Sequence, residues 1–174
     1  SGAYDDAIRH SISKMSSLHF VTHKDYKKRL VQLGEDKKNI FDVGGLGAYN
    51  ISKINFLNKK NLDKSLKIKL RNKILLITFH STTLEKGKTE DNLKKLIKSL
   101  KIFREYTKIF TLNNADSDSG TIKQVIKSFI KSNPNSYLYY SLGKIKYLSL
   151  AKISNAVIGN SSSGLLEIPS FNVP

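Results

Sequence analysis

The chain has 174 residues, with 30 Lys and Arg against 14 Asp and Glu, giving a formal charge of +16. At 39% apolar and 25% charged residues it has the balance of a folding chain rather than a disordered one. It has no cysteine, which excludes disulfide scaffolds, thiolate metal sites and cysteine nucleophiles, and no apolar run near the roughly 20 residues of a membrane helix. No signal peptide opens it. It starts at Ser1 and stops at Pro174 just after a serine-rich run, so it reads as a fragment of a longer protein. The basic excess is mostly Lys, the arginines being Arg9, Arg29, Arg71 and Arg104. No zinc-finger spacing, aromatic RNA-binding run or basic-region heptad accompanies it. It reads as a solvated surface without a nucleic-acid partner, capable of modest steering of an anionic substrate.

Asp5 to Ser16 is predicted helical, with Ile8, Ile12 and Met15 at helical spacing and acids in the first turn. A short strand, Leu18 to Val21, leads to a helix from Lys24 to Leu33, capped by Thr22 and ended by Gly34. Asn39 to Val43 is a strand running into Gly44-Gly45-Leu46-Gly47, and a short helix follows to about Phe56. Asn58 to Arg71, polar and Lys-rich, reads as linker or surface. Beyond it strands at 74–79, 108–112, 136–140 and 156–159 alternate with helices at 89–103, 121–132 and 144–153. That alternation predicts an α/β, Rossmann-like parallel sheet with helices on both faces.

Ligands of such sheets bind beyond the carboxyl ends of the strands, so the residues there are the candidates. The first of these strands ends in His80, which is either structural or a charge partner or acid for an anionic leaving group. The third ends in Ser141-Leu142-Gly143. The last ends in Asn160-Ser161-Ser162-Ser163-Gly164, suited to hold phosphate at a helix start or simply to cap the helix. Glu167, a turn further on, could accept hydrogen bonds from a ribose diol or complement the helix dipole. On the first helix Asp5 and Arg9, four apart, share a face; a surface ion pair is the plainer reading, and Asp6 is the alternative acid.

Taken in order, several stretches resemble one family. They are Asp5-Asp6-Ala7-Ile8-Arg9-His10-Ser11-Ile12-Ser13-Lys14-Met15-Ser16 with Leu18-His19-Phe20, Gln32-Leu33-Gly34-Glu35-Asp36, and Val43-Gly44-Gly45-Leu46-Gly47. Ile77-Thr78-Phe79-His80 and Gly159-Asn160-Ser161-Ser162-Ser163-Gly164-Leu165-Leu166-Glu167-Ile168-Pro169 continue the series. Together they resemble the hydrolysing UDP-N-acetylglucosamine 2-epimerases, with the bacterial sialic-acid and legionaminic-acid pathway enzymes as the nearest subgroup. The resemblance implies two Rossmann-like domains in a GT-B-like arrangement. Residues 1–47 would end the N-terminal domain, and 48–174 would form most of the C-terminal, UDP-binding domain.

The implied reaction converts UDP-N-acetylglucosamine and water to N-acetylmannosamine and UDP, by elimination and then hydration. The alternatives are the same reaction on UDP-2,4-diacetamido-2,4,6-trideoxyglucose, or a sugar-nucleotide-binding module without catalysis. By the resemblance Asp5, Arg9 and His80 are catalytic. Ser161, Ser162, Ser163 and Gly164 hold the diphosphate, Glu167 the ribose and Tyr147 the uracil, although Tyr147 also reads as a core residue of its helix. No metal or redox cofactor is implied. The expected partner is a UDP-sugar, not a membrane, and the full-length protein is expected to be a cytoplasmic homodimer or larger homo-oligomer. The fragment alone is expected to be inactive.

Overall fold

The computed structural model describes residues 4–80, 89–112 and 119–174, without the side chains of Tyr4, Asp5, Ala48, Ser119 and Thr121. They form two compact units, Ser1–Lys53 and Ile54–Pro174.

The first unit runs α1 (Tyr4–Met15), β1 (His19–Val21), α2 (Lys24–Gln32), a 3-10 turn (Lys37–Asn39), β2 (Ile40–Asp42) and α3 (Leu46–Ser52). The two strands are parallel, with Phe20 opposite Phe41 and their rings stacked 5.6 Å apart. The helix α2 is capped by His23 rather than Thr22, its Nδ1 accepting the Asp25 N–H at 3.3 Å. A ring nitrogen there has the same reach from the backbone as the side-chain oxygen of Asn, a common cap. At the far end of α1, Lys14 Nζ donates to Leu33 O at 2.6 Å and pairs with Glu35 at 2.9 Å, while buried His19 lies 3.2 Å from the same carboxylate. The Lys14 hydrogen bond is the main cause that holds the Glu35 carboxyl below the usual carboxylate range. The apolar stripe of α1 exists as predicted, but Ile8, Ile12 and Met15 stand exposed on this unit, and α2 buries no residue.

The second unit runs α4 (Lys59–Leu66), β3 (Ile74–Thr78), α5 (Thr89–Leu100), β4 (Thr107–Thr111), α6 (Ser119–Ser132), β5 (Ser136–Tyr139), α7 (Gly143–Ile153), β6 (Ala156–Gly159), α8 (Ser163–Leu166) and a 3-10 turn (Ile168–Phe171). Its four strands are all parallel, in the order β5-β4-β3-β6. Because side chains alternate along a strand, β3 feeds two cores. Ile74 and Leu76 pack with Leu62 and Leu66 of α4, Leu150 and Ala151 of α7, and Ile168. Leu75 and Ile77 pack with Leu93 and Ile97 of α5 and with Ile122, Ile126 and Phe129 of α6. Helices therefore cover both faces, and the expected α/β class is borne out.

The stretch expected to be a linker is instead the helix α4. Asn58 Oδ1 caps it by accepting the Asn61 N–H at 2.9 Å, and Leu62 and Leu66 are buried. Leu70, also buried, is held where its N–H meets Asp63 Oδ1 at 3.0 Å. Leu62 and Leu66, four apart, share one face of the helix, and Leu70 joins them after the chain turns left-handed at Lys67; the exposed lysines around them mask this pattern in a compositional reading.

Lys108 is the anomaly of β4. It is 2% exposed in a strand buried throughout, with its Nζ donating to Phe103 O at 2.5 Å. Burial pushes its ammonium below the ordinary lysine range, and the Arg71 charge adds to the effect. At the other end of the strand, the Thr111 hydroxyl meets that of Thr78 at 2.7 Å in the interior.

Two predictions follow from this packing. The folded pKa of Lys108 lies below its unfolded value, so the unfolded chain holds more protons in that window. Stability therefore rises with pH up to about 10.4. Urea melts of wild type and Lys108→Met from about pH 8 to pH 10.4 should show wild type gaining on the variant; a constant difference would mean that the ammonium is not desolvated. The second concerns Gly159, whose φ is +149° and where a Cβ would lie 1.7 Å from Thr78 O. Only glycine lets β6 run this close to β3. Gly159→Ala should destabilise the fold by about 3 kcal/mol or more, read as a lowered thermal midpoint.

Candidate functional site

The carboxyl ends of β3, β4 and β5 open into a cleft of about 390 Å³. His80, two residues past β3, lines it together with Thr111 and Leu112 at the end of β4. Ser141 to Lys144, between β5 and the start of α7, form another wall, where Gly143 turns the chain with φ +64°. Tyr147 and Leu148 from the next turn of α7 and half-buried Glu167, just after α8, complete the described lining. His80, Tyr147 and Glu167, three residues predicted to share a site, are thus brought together.

The serine run connects β6 to α8. Ser162 stands at the cap position without a side-chain capping bond, and the Ser161 hydroxyl lies 3.4 Å from the Ser163 N–H. The chain turns over as Gly164 N–H donates to Ser161 O at 3.1 Å and Leu165 N–H to Ser162 O at 3.0 Å. Ser161, Ser163 and Gly164 border a small recess with Thr78 and Gly159. The Tyr147 hydroxyl meets the Ser163 hydroxyl at 2.8 Å, so the cleft wall on α7 is tied to the serine run by one bond.

Asn160, which by sequence opens the phosphate-holding or capping run, is a link to His80 instead. Its Oδ1 accepts the His80 N–H at 2.8 Å, and its Nδ2 donates to His80 O at 2.9 Å. No local pattern reveals this, because the partners are 80 residues apart. Thr111 and Lys144 were likewise not singled out. Their only sequence signal is position, at the end of one strand and one residue past the Gly143 turn after another.

Asp5 and Arg9 belong to the first unit. The Asp5 side chain lies outside the described residues, and Arg9 Nη2 pairs with Asp6 Oδ1 at 3.1 Å on the exposed surface of α1. Among the described residues no group of three or more His, Asp or Glu could hold a metal ion, and no helix is long and apolar enough to cross a membrane.

The family model of UDP-N-acetylglucosamine 2-epimerases matches residues 1–174. A Campylobacter jejuni protein named GDP/UDP-N,N'-diacetylbacillosamine 2-epimerase (hydrolyzing) is 48% identical, over 99% of this chain and 45% of that protein. Polysialic acid biosynthesis protein P7 of Escherichia coli is 39% identical, over 98% of this chain and 43% of its own length. Among solved structures, UDP-GlcNAc 2-epimerase from Neisseria meningitidis, bound to UDP-GlcNAc, matches with a TM-score of 0.77 at 18% identity, covering 98% of this chain and 47% of that one. At that identity the likeness is one of fold. The chain spans a little under half the length of the relatives it matches.

Proposed function

The chain belongs to the UDP-N-acetylglucosamine 2-epimerase family, and from that membership we propose that the full-length protein is a hydrolysing 2-epimerase of a UDP-linked 2-acetamido sugar. The observation that carries the reading is the cleft at the strand ends, where His80, Tyr147 and Glu167 converge and Tyr147 grips the serine run. In this reading the first unit belongs to an N-terminal Rossmann-like domain and the second to the UDP-binding domain. The 48% identity to a protein named for diacetylbacillosamine favours the diacetamido-trideoxy sugar over UDP-N-acetylglucosamine as substrate.

The chemistry divides into two steps. A base removes the proton at C2, the C–H pair forms a C1–C2 double bond, and the C1–O bond to UDP breaks. Water then adds, hydroxyl to C1 and proton to the opposite face of C2, which inverts that carbon. Departing UDP carries the developing charge, and groups already in place where charge develops do most to lower the barrier. His80 is assigned to that charge, with Ser161, Ser162, Ser163 and Gly164 on the diphosphate. Glu167 takes the ribose hydroxyls, and the ring of Tyr147 the uracil. Asp5 and Arg9 are assigned to proton transfer at the sugar.

The full-length protein, supplied with each of the two UDP-sugars in deuterated water, should release UDP and give the 2-epimeric free sugar carrying deuterium at C2, seen by proton NMR. Retention of the original C2 hydrogen would falsify the elimination route, and the sugar turned over faster identifies the substrate.

Glu167→Gln keeps the shape of the side chain but weakens acceptance from hydroxyls. UDP affinity should fall by about 1.5–3 kcal/mol, roughly ten- to a hundredfold. Affinity for 2′,3′-dideoxy-UDP should barely change. An equal loss for both ligands in calorimetric titration would place Glu167 outside ribose binding.

A further inference from the structure

The pairing of β3 with β6 ends at Thr78 and Gly159, yet His80, two residues further on, is still held at its backbone. The Asn160 carboxamide does this. It presents one acceptor and one donor in a plane, the same pair that a peptide group offers, and spends them on the His80 N–H at 2.8 Å and the His80 carbonyl at 2.9 Å. The Asn160 main-chain N–H meanwhile donates to Thr78 O at 3.3 Å. One residue thus continues the strand ladder with its side chain while its own backbone turns away into Ser161 and the serine run. Gly159 makes this possible by letting the chain pass where any Cβ would strike Thr78 O.

We infer that Asn160 is a positioning residue for His80: its carboxamide fixes the backbone from which the imidazole enters the cleft, and so sets the turnover rate without touching substrate. This deepens the proposed function and rests on His80 acting on the departing UDP. Among the natural side chains, Gln has the same group on a longer arm, and Ser or Ala cannot offer both bonds. Asp can accept from the His80 N–H, but when ionised it faces the His80 carbonyl with a second oxygen instead of a donor; only its protonated form supplies both. Displacement of a reacting group by about 1 Å can cost on the order of a hundredfold in rate.

The test is a double-mutant cycle in the full-length protein, with kcat, KM and UDP affinity measured for each variant. His80→Ala should lose at least about a hundredfold in kcat. Asn160→Ala should lose roughly ten- to a hundredfold in kcat, with KM and UDP affinity within about threefold of wild type. In the His80→Ala background Asn160→Ala should cost almost nothing further, because there is no imidazole left to position. Asn160→Asp, kept folded at each pH as judged by its thermal midpoint, should recover toward wild-type kcat at the same pH as pH falls and its carboxyl takes a proton. If His80→Ala turns over normally, the role given to His80 fails and the inference falls with it. If His80→Ala is slow but Asn160→Ala is not, or if the two losses simply multiply, the inference alone is overturned.

Discussion

The second unit is organised around β3, which is hydrogen-bonded on both edges, buried on both faces, and paired with both β4 and the late-returning β6. Its four apolar side chains alternate between two cores, so both helical layers pack on it. The chain leaves β3 toward β4 and β5 by way of α5 and α6 on one face, then returns by α7 on the other to lay β6 against the free edge of β3. That reversal of strand order is the condition that opens a crevice at the carboxyl edge of a parallel sheet. The cleft holding His80, Tyr147 and Glu167 is a consequence of how β3 is flanked, and its walls come from elements far apart in the chain.

Close approach is the second constraint. A glycine with positive φ at the end of β6 brings that strand's exit within bonding distance of the exit of β3, and the carboxamide that follows closes the gap. Beneath the cleft the hydroxyls of Thr78 and Thr111 satisfy each other, which allows two polar residues at the buried strand ends without an unpaired group between them. On its far wall the Tyr147–Ser163 bond spans from α7 to α8. These three links each join a different pair of elements, and together they make the strand ends one framework rather than independent loop tips.

Periodicity made most of this fold legible. Uninterrupted apolar strands and helices with leucine and isoleucine at spacings of three and four, such as Leu93, Ile97 and Leu100, declare themselves because burial on one face must recur with the helical turn. Where composition outweighed spacing, in 58–71, the lysines hid Leu62, Leu66 and Leu70, and a buried helix read as surface. The strand-end rule pointed to His80, Ser141, Gly143 and the serine run, all of which lie at the carboxyl edge. Asn160 stayed invisible in its role because a side chain bonded to a backbone 80 residues away leaves no mark on its neighbours. Buried Lys108 escaped notice for a similar reason, since the Phe103 carbonyl that receives it is supplied by the turn before the strand.

The charge of +16 contributes little through local pairing. The ion pairs Lys73–Glu105, Lys94–Glu90 and Lys28–Asp25 are solvent-exposed, and pairs of that kind are worth between nothing and about 1 kcal/mol each. With 30 basic side chains against 14 acidic ones, more than half of the basic side chains exceed the acids available for one-to-one pairing, and their effect is the summed field over the surface. A field of that sign does not choose a fold, but it raises the local concentration of anions and speeds their encounter. Among its described lining the cleft sets the Lys144 ammonium against the single carboxylate of Glu167. Under the proposed function a UDP-sugar would be drawn in by its diphosphate, and a lone carboxylate would be tolerated where hydroxyls rather than phosphate oxygens are to be recognised. Glu167 stands at the end of α8 and Ser163 at its start, one helical turn apart.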